Sequence, residues 1–252
     1  MDKAFRDMDL IAPQLFEQLR SAIVEMRLAP GSALSEKEVS ERYGVSRQPV
    51  REAFIKLSEA GLVEVRPSRG TFVRKISVRE VADARFVREA VECSLVRYAC
   101  RFITDADCDS LRGLVDNQKR AALANDFASF NANDEDFHRC IGNIVQCDYA
   151  LRTVVGARNQ IDRVRFLSLG DATPMQTLIS QHGDIVAALA ARDADAAERA
   201  MRRHLREVLI ALPRLARANP DIFKDYDLPA HTLLLMPDED AVAPPVGQAG
   251  RE

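Results

Sequence analysis

Apolar residues along the first quarter of the chain follow a helical period and then switch to a strand period. Leu15, Leu19, Ala22, Ile23 and Met26 recur every three or four residues, one face of an α-helix. They predict a helix over residues 13–28 that opens at Pro13 and is stopped by Ala29-Pro30-Gly31. Ser35-Glu36-Lys37-Glu38 has the form of a capping box, in which the serine hydroxyl accepts from the Glu38 amide, and it opens a short second helix ending at Tyr43-Gly44. Ser46 then caps a third helix, with Pro49 in its first turn, Val50, Ala53, Phe54 and Leu57 facing inward, and Gly61 at its close. Leu62–Val65 and Thr71–Val73 alternate with period two around Arg66-Pro67-Ser68-Arg69-Gly70, which reads as a hairpin with a basic tip.

Two helices joined by a short glycine-containing turn, followed by a hairpin, predict a winged helix-turn-helix over residues 1–76. Beyond it no run of any length keeps the strand period. Ser77-Val78-Arg79-Glu80 is a second capping box and opens a helix to about residue 102. Further helices fit 105–124, 126–146, 148–168, 174–191 and 193–217, with short connections that imply antiparallel neighbours. The expected fold class is therefore mainly α: the winged domain, an all-α antiparallel bundle over 77–222, and a flexible C-terminal tail over 223–252. The tail rests on turn-rich stretches such as Pro237-Asp238-Glu239-Asp240 and Ala243-Pro244-Pro245.

Charge changes this picture only when it is divided by segment. The whole chain carries a net −3, which argues against nucleic acid. Residues 1–77, however, carry +2, and residues 42–75 alone hold eight basic residues against three acidic ones. The pattern that buries Val50, Ala53, Phe54 and Leu57 leaves Arg47, Gln48 and Arg51 at the exposed N-terminal end of the third helix, the end from which a recognition helix reads bases. Arg69 and Gly70 lie at the hairpin tip, where they can approach the DNA backbone or minor groove. The first ten residues lack a basic stretch followed by an apolar run, and no apolar stretch is long enough to cross a membrane. Five cysteines without a CxxC pair read as reduced thiols, so the expected location is the cytoplasm.

Three of the four histidines fall on apolar helix faces of the predicted bundle. Asp134 and His138 are four residues apart on the stripe continued by Ile141 and Val145; His182 sits in the row Leu178, Ile179, Ile185, Val186 and Leu189; His204 lies between Met201 and Val208. One inward histidine is ordinarily a hydrogen-bonded core residue. Three on separate helices, with a carboxylate one turn before the first, fit either packed core residues or the ligands of a divalent transition metal such as Zn, Ni or Mn.

Four blocks in the first segment resemble the GntR family of bacterial transcription factors: Leu28–Glu36, Tyr43–Ala53, Glu59–Val63 and Arg69–Val73. The resemblance implies a homodimer on a palindromic operator. It implies that Arg47 and Arg51 read bases, that Ser46 and Arg42 hold phosphates, and that Gly70 forms the wing tip. Gln48 stands where the family often has Thr. The helical segment is similar to the FCD effector domain of the FadR subfamily, on Asp134-Glu135-Asp136-Phe137-His138, Ile141-Gly142-Asn143 as the following turn, Gln181–Ile185, Met201–Leu205 and Arg88-Glu89-Ala90-Val91-Glu92. That likeness implies a metal held by Asp134, His138, His182 and His204. It also implies a small carboxylate effector, such as a sugar acid, for which Arg88 and Asn143 are the candidate contacts. Arg163 and Arg165 are expected to line the effector cavity or a dimer surface.

The expected function is a ligand-responsive transcriptional regulator, a repressor, and not an enzyme. The alternative is a metal-dependent helical-bundle enzyme acting on a small carboxylate. Glu135-Asp136-Phe137-His138 fits the E-x-x-H of di-iron bundles, but Ile179 and Met201 stand three residues before His182 and His204, so the second motif is missing. Cys140 reads as a packed helix residue rather than a nucleophile, and an architectural DNA-compacting role is opposed by the acidic bundle.

Overall fold

A computed structural model describes residues 2–169 and 174–233. The chain begins with α1 (Asp2–Val24), longer at its start than the pattern predicts and shorter at its end. Pro13 lies inside this helix with its ring exposed, and Met26 takes a left-handed conformation (φ 59°) that ends it before Ala29-Pro30-Gly31. After β1 (Ala33–Leu34) come α2 (Glu36–Tyr43) and α3 (Arg47–Glu59). The turn between them runs through Gly44 at φ 65°, a conformation costly for any residue with a Cβ. β2 (Val63–Arg66) and β3 (Gly70–Val73) form the expected hairpin, pairing Val63 with Val73 and Arg66 with Gly70. β1 adds to the other edge of β3, for a sheet order β1-β3-β2; two residues were too short to show a period. Leu15, Leu19, Ile23, Val50, Phe54, Leu57 and Val73 form the core of this domain.

The helical domain comprises α4 (Val78–Phe102), α5 (Asp105–Leu123), α6 (Phe127–Val145), α7 (Asp148–Ser168), α8 (Met175–Ala190) and α9 (Ala194–Ala218), each within two residues of its predicted limits. Val96, Leu111, Phe137, Ile185 and Leu189 fill its main core. A separate cluster under the domain junction joins Ile76, Val81, Val164, Leu209, Leu212 and Phe223.

The structure corrects the expected tail boundary. Residues 223–233, placed in the flexible tail by composition, are folded: Phe223 is 1% exposed, Thr232 is buried, and α10 (Ala230–Leu233) follows. Main-chain bonds run from Ile76 N–H to the Ile222 carbonyl (3.0 Å) and from Lys224 N–H to the Ile76 carbonyl (2.9 Å). Asp225 accepts from the Ser77 hydroxyl (2.6 Å) and the Val78 amide (2.5 Å), joining Ser77 as a cap of α4. Glu80 does not close the predicted capping box, since its carboxylate is drawn to Arg74 and Lys224. Composition missed this strap because its partners lie almost 150 residues away. Residues 234–252 of the expected tail lie outside the described residues.

The same junction carries polar contacts between the domains. Gln160 donates to the Gly61 carbonyl (2.9 Å), Arg163 to the Arg74 carbonyl (2.6 Å), and Arg20 of α1 pairs with Glu135 of α6 (2.8 Å). Asp225→Ala is expected to lower the unfolding free energy by about 1–2 kcal/mol, as loss of a helix cap does. Urea denaturation followed by circular dichroism checks this, and an unchanged midpoint would mean that the segment is a free tail.

Candidate DNA-binding surface and buried histidine cluster

Burial of Val50, Ala53, Phe54 and Leu57 fixes the rotation of α3 and turns Arg47, Gln48 and Arg51 to solvent. Arg42, Ser46, Arg69 and Gly70 are likewise exposed, so all seven residues expected at DNA are free to reach it. Ser46 occupies the N-cap position of α3, yet its hydroxyl makes no cap bond. Gln48 donates to Glu52 (2.9 Å), and Arg51 pairs with Glu36 (2.9 Å). Both contacts are exposed and worth about 0–1 kcal/mol, so they yield readily to a base edge or a phosphate. Behind the wing tip, the Arg66 guanidinium lies 4.5 Å from the Phe72 ring centroid and holds the hairpin face.

Inside the helical domain, Asp134 and His138 of α6, His182 of α8 and His204 of α9 are all buried, with one potential ligand atom from each lying within 4.8 Å of the others. His204 Nε2 is 3.2 Å from His138 Nε2 and 3.3 Å from His182 Nε2, while Asp134 Oδ1 is 3.4 Å from His182 Nε2 and 4.0 Å from His138 Nε2. Metal–nitrogen bonds of about 2.0–2.1 Å at tetrahedral angles place ligand atoms about 3.3 Å apart, so this spacing fits one small divalent cation.

The outer face of each ring explains why the Nε2 atoms converge. His182 Nδ1 lies 2.7 Å from Gln118 Oε1, and His204 Nδ1 lies 3.1 Å from Gln181 Oε1, which is itself held by Glu207. His138 Nδ1 is 2.5 Å from Glu92 Oε2, an ion-pair approach without hydrogen-bond alignment. An acceptor at Nδ1 places the imidazole proton there and leaves Nε2 as a bare lone pair. His182 and His204 so turn Nε2 lone pairs inward, and His138 Nε2 lies 3.2 Å from His204 Nε2, a grouping that a cation would relieve. Burial lowers all three histidine pKa values, His182 to about 3, so the rings are neutral and able to ligate at neutral pH. Burial alone would raise the Asp134 pKa, but Arg165 and Arg158 outweigh it and hold the carboxyl well below the usual range.

A small cavity beside the cluster is bordered by Arg88, Arg165, Ser168, His204 and Glu207, with a free volume of ≈ 20 Å³, room for about one water. Arg88 is fully buried and pairs with Glu92 (2.6 Å), while its Nη2 has no hydrogen-bond partner. Arg165 grips both oxygens of Asp134, at 2.6 and 2.5 Å.

Two expected contacts are placed elsewhere. Asn143 is exposed at a depression with Thr104, Asp107 and Cys140; five residues beyond His138, it lies about 140° around α6 from the cluster-facing side. Ile141-Gly142-Asn143 is not a turn but part of α6, where a Cβ on Gly142 would meet Leu151 Cδ2 at 2.1 Å, so glycine is what lets α7 approach. Arg163 faces the domain junction and not the cavity, whereas Arg165 does border it. The sequence reading missed Gln118, Arg158 and Asp162. Gln118 left a trace, a lone amide on the buried stripe of Leu111, Val115 and Ala122.

Comparison with known proteins agrees with both halves. Residues 11–73 match the family "Bacterial regulatory proteins, gntR family", and residues 83–207 match the FCD domain family. The chain is 42% identical over 212 residues to the HTH-type transcriptional repressor RspR of Escherichia coli K12, spanning 84% of this chain and 93% of that one. It is 36% identical over 209 residues to an uncharacterized HTH-type transcriptional regulator from Streptomyces ambofaciens, covering 83% and 88%. A putative GntR regulator from Rhodococcus sp. RHA1 superposes with a TM-score of 0.67 at 25% identity, covering 79% of this chain and 96% of that structure. E. coli McbR/YncC shares the fold, with a TM-score of 0.71 at 19% identity over 79% and 95%. These relatives are regulators, which removes the bundle-enzyme alternative. The chain is a GntR-family transcriptional regulator, with a winged helix-turn-helix domain joined to an FCD domain.

Proposed function

We propose that this regulator is a repressor whose FCD domain holds a divalent transition metal (Zn, Ni or Mn) through Asp134, His138, His182 and His204, and that a small carboxylate acts as its effector. The observation that carries the reading is the convergence of three Nε2 atoms and one carboxylate, with a side-chain oxygen near the Nδ1 of every ring. The bound ion would supply Lewis acidity toward an anion. The chain's own residues supply the rest: Arg88 offers a buried guanidinium with a spare Nη2 at the cavity, and Arg165 stands beside it. A sugar acid is the favoured ligand class. The ≈ 20 Å³ of free volume requires side chains, Arg165 foremost, to move as it enters.

On DNA, the N-terminal end of α3 enters the major groove. There Arg47 and Arg51 contact base edges, Gln48 adjusts the preference, Arg42 and Ser46 hold phosphates, and Arg69 with Gly70 brings the wing to the backbone. Two copies acting on a palindromic operator would set their recognition helices about one helical turn apart, roughly 34 Å. A soluble cytoplasmic homodimer fits these requirements, and among the described residues no helix is long and apolar enough to cross a membrane. RspR is a transcriptional repressor, and a probable D-xylose utilization operon transcriptional repressor from Paenarthrobacter nicotinovorans is 29% identical over 209 residues; both favour repression as the sign. A ligand acts only through a difference in its affinity for DNA-competent and DNA-incompetent arrangements.

Arg47→Ala with Arg51→Ala is expected to abolish operator footprints while leaving the helical domain folded, each lost bidentate contact costing about 1–3 kcal/mol of discrimination. An unchanged footprint would refute the recognition assignment. His182→Ala with His204→Ala is expected to remove bound metal as read by elemental analysis, and one equivalent retained after dialysis would refute the site.

A further inference from the structure

Between the histidine cluster and the DNA-binding domain runs a chain of alternating charges. Arg158 of α7 is buried and bridges two buried carboxylates: its Nη2 lies 2.7 Å from Asp134 Oδ2 and 3.4 Å from Asp162 Oδ1. Asp162 in turn stands 3.6 Å from Nη1 of Arg20, which belongs to α1 of the winged domain. Arg20 is held at the same time by Glu135 at 2.8 Å, and Glu135 is the chain neighbour of Asp134. The contacts differ in quality. Asp134 is hydrogen-bonded three times over by Arg158 and Arg165, whereas neither oxygen of Asp162 accepts a hydrogen bond. Nε and Nη1 of Arg158 also lack partners. A buried carboxylate with only loose ion-pair neighbours is poorly compensated, and it gains from any cation that moves closer.

We infer that Arg158 transmits occupancy of the histidine cluster to the DNA-binding domain, by dividing its charge between Asp134 and Asp162 and thereby setting how firmly Asp162 holds Arg20. The inference rests on the proposed metal reading and deepens it, because it names the path by which that site acts on α1. When Asp134 engages a divalent cation, it neutralises less of Arg158, and the like charge at the cluster repels the guanidinium. Arg158 then settles on Asp162, whose free oxygens accept it. Asp162 in turn attracts Arg20 less, and the α1 contact weakens to the single pair with Glu135. Coupling of this kind is reciprocal: whatever loosens Arg20 must change cation affinity by the same factor. Arg20 pairs with Glu17, Glu135 and Asp162, and with none of the four cluster side chains.

The test uses the full chain with Zn²⁺, Ni²⁺ and Mn²⁺ added singly as probes. Isothermal titration of Arg20→Gln is expected to show cation binding about five-fold tighter or more than in the wild type, because Asp162 then draws Arg158 away from Asp134. Asp162→Asn is expected to shift affinity in the opposite direction, since Arg158 loses its alternative partner, and to abolish the tightening when combined with Arg20→Gln. A merely structural contribution would weaken binding in both single variants. Hydrogen exchange on the unmutated protein supplies a readout independent of any folding defect: cation addition should speed exchange of the α1 amides around Arg20. Binding of equal affinity in wild type and Arg20→Gln, or α1 exchange unmoved by saturating cation, would overturn the relay and leave the metal site standing. A wild-type chain that binds none of the three ions would overturn the metal reading and the relay with it.

Discussion

Asp134 is the charge around which the helical domain is arranged. It is fully buried, and a carboxylate in that position is tolerable only among strong hydrogen-bond donors or cations. Arg158 and Arg165 of α7 meet that need on one side, while His138, His182 and His204 present their Nε2 atoms on the other. Helices α6, α7, α8 and α9 are thereby tied to one point. In the proposed metal reading, the arrangement is balanced between two kinds of counter-charge, the arginines already present and a cation among the histidines. Removing Asp134 would leave Arg158 and Arg165 buried without the carboxylate they share.

Two kinds of contact hold the regulator together. Within each domain the contacts are apolar and tightly shared, as in the cluster of Leu19, Val50 and Leu57 or that of Phe137, Ile185 and Leu189. At the junction an apolar patch beneath Ile76 and Phe223 packs the linker, while Arg20 of α1 forms ion pairs with Glu135 of α6 and Asp162 of α7. Ionic contacts depend on the charges around them in a way that apolar packing does not.

What the sequence made legible follows from how local each signal is. The helices of the bundle, the Gly44 turn and the hairpin could all be read, because periodicity, caps and turn residues act within a few positions. The rows carrying Asp134, His138, His182 and His204 were legible for the same reason: each falls on a helical face that is otherwise apolar. β1 was hidden because Ala33 and Leu34 are a strand only by pairing with Phe72 and Thr71. The strap at 223–233 was hidden because Asp225 caps a helix from the far end of the chain. Asn143, a contact implied by the family resemblance alone, is exposed, because five positions beyond His138 are about 140° around the helix. Arg163 and Arg165 looked equivalent in sequence, yet two positions on α7 turn one to the domain junction and the other to Asp134.

The proposed metal centre holds one cation by three Nε2 atoms and one carboxylate oxygen. Metal-edge X-ray absorption of the zinc-loaded full chain tests it most directly. The expected spectrum has a first shell of light atoms at about 2.0–2.2 Å with the multiple scattering of three imidazoles. Sulfur scattering at about 2.3 Å, or a shell of oxygens without imidazole, would contradict it.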